Sequence, residues 1–163
     1  MVQIRQATFD DFDVLSALRE ERTVLLGQSD ARLLTSMQQG EAWRHFINMA
    51  LDSPDYQVFL AYVDAGVVGY LIGRLQGNVA IIIDVALHAH QYHGGVGRQL
   101  FREFRQSLMH TTIRRLMVQL PRFYAVEQAF WRSLGAQTIH DEDKNLWEIP
   151  AGMMLMRLPF DKH

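Results

Sequence analysis

The run Val79 to Leu87 (VAIIIDVAL) is apolar, and largely β-branched, at every position but Asp84. Such a run is too continuously apolar for a half-exposed surface strand and reads as a central strand buried on both faces. It leads into a turn containing Gly94, Gly95 and Gly97, after which Val96, Leu100, Phe101, Phe104 and Leu108 recur at helical spacing. A strand passing through glycines into a helix start leaves several backbone N–H groups pointing one way, at the positive end of the helix dipole. That geometry binds anions, phosphates above all.

Two common phosphate-binding patterns fail here. Gly94-Gly95-Val96-Gly97 is not followed by Lys-Ser or Lys-Thr, and the residue three beyond Gly97 is Leu100, so neither the P-loop nor the dinucleotide fingerprint is met. The stretch Tyr92-His93-Gly94-Gly95-Val96-Gly97, with Arg98 after it, resembles the acetyl-CoA-binding segment of the Gcn5-related N-acetyltransferase (GNAT) family. That segment reads Arg or Gln, two residues, Gly, any residue, then Gly or Ala. The two glycines match, whereas Tyr92 replaces the Arg or Gln and Gln91 stands one place early. The resemblance implies a backbone cradle for the pyrophosphate of acetyl-CoA at Tyr92, His93, Gly94, Gly95, Val96, Gly97 and Arg98. It also implies that the backbone of Val85 and Leu87 holds the pantetheine arm as an added strand.

The 163 residues suit one globular domain, 1–163, with a sizeable core. Net charge is −2 and the basic residues are scattered apart from Arg114-Arg115, which argues against nucleic acid or an anionic membrane as partner. With no cysteine, disulfides, thiolate metal sites and thiol nucleophiles are excluded, and a reducing cytoplasm suits the composition. No basic leader is seen and no run approaches about 18 apolar residues, so we expect a soluble cytoplasmic protein.

In chain order, Val2 to Thr8 alternates as a strand, and Asp10 and Asp11 precede a helical pattern at Phe12, Leu15, Leu18 and Val24. Leu26 to Gly40 is polar and predicts a loop or broken helix. Helical spacing resumes over Glu41 to Leu51, where Trp43 and Phe46 read as core aromatics. Gln57 to Val63, the turn Asp64-Ala65-Gly66 and Val67 to Leu75 predict a β-hairpin that continues antiparallel into the central strand. Beyond the helix to His110, Arg115 to Leu120 predicts a parallel strand reached by a right-handed crossover. Tyr124 to Leu134 is helical and stops at Gly135, and strands near Gln137 to His140 and Gly152 to Leu158 close the chain. Together these give an α/β fold: a mixed sheet of about seven strands, an antiparallel N-terminal meander, a parallel fourth and fifth strand pair, and about four helices.

Strict alternation along the central strand places Ile81, Ile83, Val85 and Leu87 on one face and Ile82, Asp84, Ala86 and His88 on the other. A buried Asp needs a partner, water or a substrate cation. By resemblance, Asp84 occupies the position of an acidic residue that holds the acceptor amine and takes its proton. Pairing with an Arg is the structural alternative. The stretch YAVEQAFWRSLGA is similar to the family's next motif, with Trp131 where a proton-donating Tyr is frequent. Indole is no acid at neutral pH, so Tyr124 becomes the candidate donor to the departing thiolate. Glu127 reads as an exposed helix residue. His88, His90 and His93 lack the spacing of a helical zinc site, and no metal is assigned.

The resemblance therefore implies acetyl-CoA as donor, an amine acceptor of unspecified kind and direct acetyl transfer. A non-catalytic acyl-CoA-binding module is the alternative. Family members are often dimers, which leaves a homodimer open here.

Overall fold

The computed structural model describes residues 1–34, 39–88, 95–139 and 148–161. Strands β1 (Val2–Gln6), β2 (Tyr56–Val63), β3 (Gly66–Gln76), β4 (Val79–Leu87), β5 (Arg115–Pro121), β6 (Gln137–Thr138) and β7 (Met153–Leu158) form one sheet in the order β1-β2-β3-β4-β5-β7-β6. Among the described residues only β4 and β5 pair in parallel; the other neighbours are antiparallel. The last two strands enter out of order, β7 lying between β5 and β6, which sequence periodicity does not reveal.

Helices α1 (Phe12–Ser29) and α2 (Gly40–Asp52) cover one face of the sheet, and α3 (Val96–Ser107) and α4 (Ala125–Ser133) the other. Under α1 and α2, Leu15, Leu18, Trp43 and Ile47 pack on Leu60, Tyr70 and Ile72. Under α3, the fully buried Val96, Leu100 and Phe104 meet Leu71, Ala80 and Ile82. Burying each large apolar side chain contributes roughly 1.5–3 kcal/mol, so these two faces account for the placement of the helices.

The region 26–40 differs from expectation at its start. α1 continues to Ser29, because Leu26 is buried against Leu33 and Met153, and a 3-10 turn follows at Ala31–Leu34. Val24 faces solvent; the inward positions of α1 are Leu15, Leu18, Arg19, Arg22 and Leu26.

Two features of β4 shape what lies at its end. Its register with β5 runs only from Val79↔Arg115 to Ile82↔Val118, beyond which β5 keeps β7 and β4 keeps β3. The parallel pair thus splays open after Ile82. The register with β3 also shifts: Gly73 faces Ile82 and Ile72 faces Asp84, leaving Ile83 as a bulge. The extra residue breaks the expected alternation. Ile82 joins Val85 and Leu87 on the α3 side, while Ile83 and Asp84 both turn toward α1 and α2.

Candidate active site

The splay opens a cavity of about 490 Å³ between the end of β4 and helices α3 and α4. Five of the residues expected to hold a cofactor line it: Val85, Leu87, Gly95, Gly97 and Arg98. Val96 sends its side chain into the core, leaving its backbone to the α3 start. Tyr92, His93 and Gly94 lie outside the described residues.

Local geometry explains the glycines. Gly95 caps α3 with φ +78°, a left-handed conformation that side chains disfavour, and a Cβ there would meet nothing within 4 Å. A Cβ on Gly97 would stand 3.1 Å from Phe130 Cζ, so glycine keeps this part of the cleft open. The far wall is aromatic. Trp131 is buried, edge-on to Phe101 at 5.8 Å and to Phe130 at 4.9 Å between ring centroids. At the helix start, the Arg98 guanidinium donates to Ser133 Oγ at 3.1 Å. An open cradle at a helix N-terminus, a nearby guanidinium and an apolar channel along a splayed strand fit the phosphates and pantetheine arm of a coenzyme A thioester.

On the opposite face of β4, a second cavity of about 240 Å³ lies between the sheet and helices α1 and α2, with Asp84 in its wall. Asp84 is buried within a network. Its Oδ2 accepts hydrogen bonds from Arg19 Nη1 at 2.8 Å and from the Tyr70 hydroxyl at 2.6 Å, and its Oδ1 lies 3.3 Å from Arg22 Nε. Arg22 also donates to Glu127 Oε1. Burial would lower the Arg22 pKa, but the charges of Glu127 and Asp84 outweigh it and raise the value. Burial, followed by the charge on Asp84, pushes the Tyr70 phenol well above its ordinary range.

Glu127 corrects the sequence reading. It is not a solvated helix residue; its side chain is 13% exposed, lines the cavity between β4, α3 and α4 and binds Arg22 across 105 positions of chain. Arg22 therefore spans the sheet end, with Asp84 on the side of the smaller cavity and Glu127 on the cleft side. Arg19, Arg22 and Tyr70 carried no individual sequence signal, yet the need of a buried Asp84 for cations pointed to such partners.

Tyr124 is not brought to Asp84 and is absent from the walls of both cavities. It stands at the head of α4, packed on the cluster of Leu26, Leu33 and Met153. His88, at the end of β4, pairs through Nδ1 with Glu21 Oε2 at 2.7 Å. His90 and His93 lie outside the described residues. Among the described residues no three potential ligands gather as a metal site, and no helix is long and apolar enough to cross a membrane.

A mixed sheet opened at its parallel pair, with a glycine-started helix at the mouth, defines an α/β domain of the acyltransferase class. The chain belongs to the acetyltransferase (GNAT) family, whose model matches residues 16–136. Its fold is similar to that of PaiA N-acetyltransferase from Thermoplasma acidophilum in complex with coenzyme A, at 14% identity and TM-score 0.75, covering 98% of this chain and 99% of that one. A ribosomal-protein alanine N-acetyltransferase from Escherichia coli superposes with TM-score 0.71 at 15% identity, over 100% and 96% of the two chains. An aminoglycoside acetyltransferase from an uncultured soil metagenomic sample gives 0.66 at 17% identity, over 85% and 93%. No curated protein matches the sequence.

Proposed function

We propose that the protein transfers an acetyl group from acetyl-CoA directly to a primary amine. The observation that carries this reading is the cleft itself, with Val85 and Leu87 on one wall and the Gly95 to Arg98 helix start at its mouth. Bound acetyl-CoA supplies an activated thioester. The unpaired edge of β4 past Ile82 orients the pantetheine arm as an added strand would, and the backbone N–H groups of the α3 start meet the pyrophosphate.

On the acceptor side, Arg19 and Arg22 disfavour a second cation, so they help the nitrogen to arrive as the free amine. Asp84, fixed in orientation by Arg19, Arg22 and Tyr70, receives the amine proton directly or through water as the N–C bond forms. Tyr124, at the head of α4 and outside the cleft wall, passes through water the proton that the CoA thiolate needs when the C–S bond breaks. Normal turnover in Asp84→Ala with a good acceptor would remove Asp84 from this scheme, and normal turnover in Tyr124→Phe would remove Tyr124.

A second reading is an acyl-CoA-binding module without chemistry, favoured by the buried indole of Trp131 and by the commitment of Asp84 to two arginines. Thiol release from acetyl-CoA across an amine panel separates the two. Release with at least one acceptor supports the transferase; cofactor binding with no release from any amine supports the module.

A further inference from the structure

We infer that Glu127 makes the cleft selective for uncharged acyl groups and turns away coenzyme A thioesters whose acyl chain ends in a carboxylate. This rests on the reading of the cleft between β4, α3 and α4 as the coenzyme site, and it holds whether or not transfer follows binding. Two charged side chains line that cleft, Arg98 at the α3 start and Glu127 on α4; its other described lining residues are glycine or apolar. The Glu127 side chain is 13% exposed and is held in place by Arg22, which donates to Oε1. Among the described residues no hydrogen bond reaches Oε2.

Position within the cleft decides which part of a thioester meets this carboxylate. Gly97, at the α3 start, looks onto Phe130, and a Cβ there would stand 3.1 Å from Phe130 Cζ. Glu127 lies nearly one turn earlier on α4 and reaches Arg22, which belongs to the wall of the Asp84 cavity. Glu127 thus stands where the cleft adjoins that cavity, away from the helix start that suits phosphates. A coenzyme with its pyrophosphate at α3 and its acyl carbon within reach of the Asp84 side brings the acyl group to Glu127. Arg19 and Arg22 balance Asp84 and Glu127, so the network as a whole is neutral, yet neither guanidinium lines the cleft and its carboxylate end faces the acyl group. An acyl carboxylate there meets a like charge in a partly buried site, where salt screens it little. It also gains no cation, because Arg22 is engaged by Glu127 and Asp84 and Arg98 stands at the phosphate end. An acyl chain that ends in a methyl group meets the apolar wall without that repulsion.

The test is calorimetric titration, with free CoA as the reference, of two pairs of thioesters matched in acyl carbon count: propionyl-CoA beside malonyl-CoA, and butyryl-CoA beside succinyl-CoA. In each pair the uncharged thioester should bind the wild type about tenfold or more tightly. Glu127→Gln keeps the size of the side chain and an oxygen for Arg22, and should bring each pair within about threefold, chiefly by tightening malonyl-CoA and succinyl-CoA. Arg98→Gln should weaken all four thioesters alike. Should Glu127→Gln lack native circular dichroism, Arg22→Met combined with Glu127→Gln removes the ion pair as a unit and should abolish the discrimination in the same way. Equal affinities within the wild-type pairs, or a preference that survives in folded Glu127→Gln, would overturn the inference while binding of free CoA leaves the coenzyme site standing. No binding of CoA or of any thioester by folded wild type would overturn both.

Discussion

Removing the Arg22 guanidinium should cost more than any exposed charge on this protein. Its side chain is 5% exposed and stands between Asp84 and Glu127, themselves 7% and 13% exposed. Arg22→Met leaves Glu127 in the cleft wall without its cation and leaves Asp84 with one guanidinium instead of two. Breaking a buried pair by deleting one partner costs about 3–5 kcal/mol. With a urea slope of about 2 kcal/mol/M, the unfolding midpoint should fall by roughly 1.5–2.5 M. Glu127→Gln in the Arg22→Met background removes the stranded charge, so the double variant should regain part of the loss and the cycle should show coupling above about 0.5 kcal/mol. Urea titrations followed by tryptophan fluorescence measure all four proteins. A loss below about 1 kcal/mol for Arg22→Met, with strict additivity in the double variant, would refute the bridging role.

Other consequences are smaller. Tyr70→Phe removes a buried hydrogen bond to Asp84 and should cost about 1–3 kcal/mol in the same titration. Because the folded pKa of Tyr70 lies above the unfolded value of about 10, its contribution holds below pH 10 and is lost as pH rises further; the variant should show a flatter alkaline limb in stability. Asp11 behaves in the opposite sense: the hydrogen bond from Arg5, opposed by burial and aided by the Thr8 N–H, lowers its pKa. Its contribution is present above the unfolded value of about 3.9 and lost as pH falls below it, so Asp11→Asn should weaken the acid dependence of melting temperature. Gly95→Ala meets no steric obstacle but forces a side chain into φ +78°, and should cost about 1–2 kcal/mol in thermal unfolding.

Much of the scaffold was legible because local patterns and global fold agree. The continuous apolar run of β4, the alternation of β2 and β3 about Asp64-Ala65-Gly66 and the apolar face of α3 each specified an element, and their order specified a meander feeding a parallel pair. The bulge at Ile83 was not legible, since one residue more on β4 than on β3 leaves no mark in composition, and it turned Asp84 to the same side as Ile83. The splay depends on where β5 exchanges β4 for β7, a pairing between distant segments. Buried arginines on α1 were hidden for a related reason: Arg19 and Arg22 look like a solvated helix face until the Asp84 beneath them is known. Glu127, whose partner is far away in sequence, was misread on the same grounds.

The central claim is that the cleft between β4 and helices α3 and α4 receives acetyl-CoA. Its most direct test is calorimetric titration of acetyl-CoA into the wild type and into Gly97→Leu, a variant whose added side chain is directed at Phe130 across the cleft. One-site micromolar binding by the wild type, weakened at least tenfold in a folded Gly97→Leu protein, is the predicted result. No binding by folded wild type, or unchanged affinity in the variant, would contradict it.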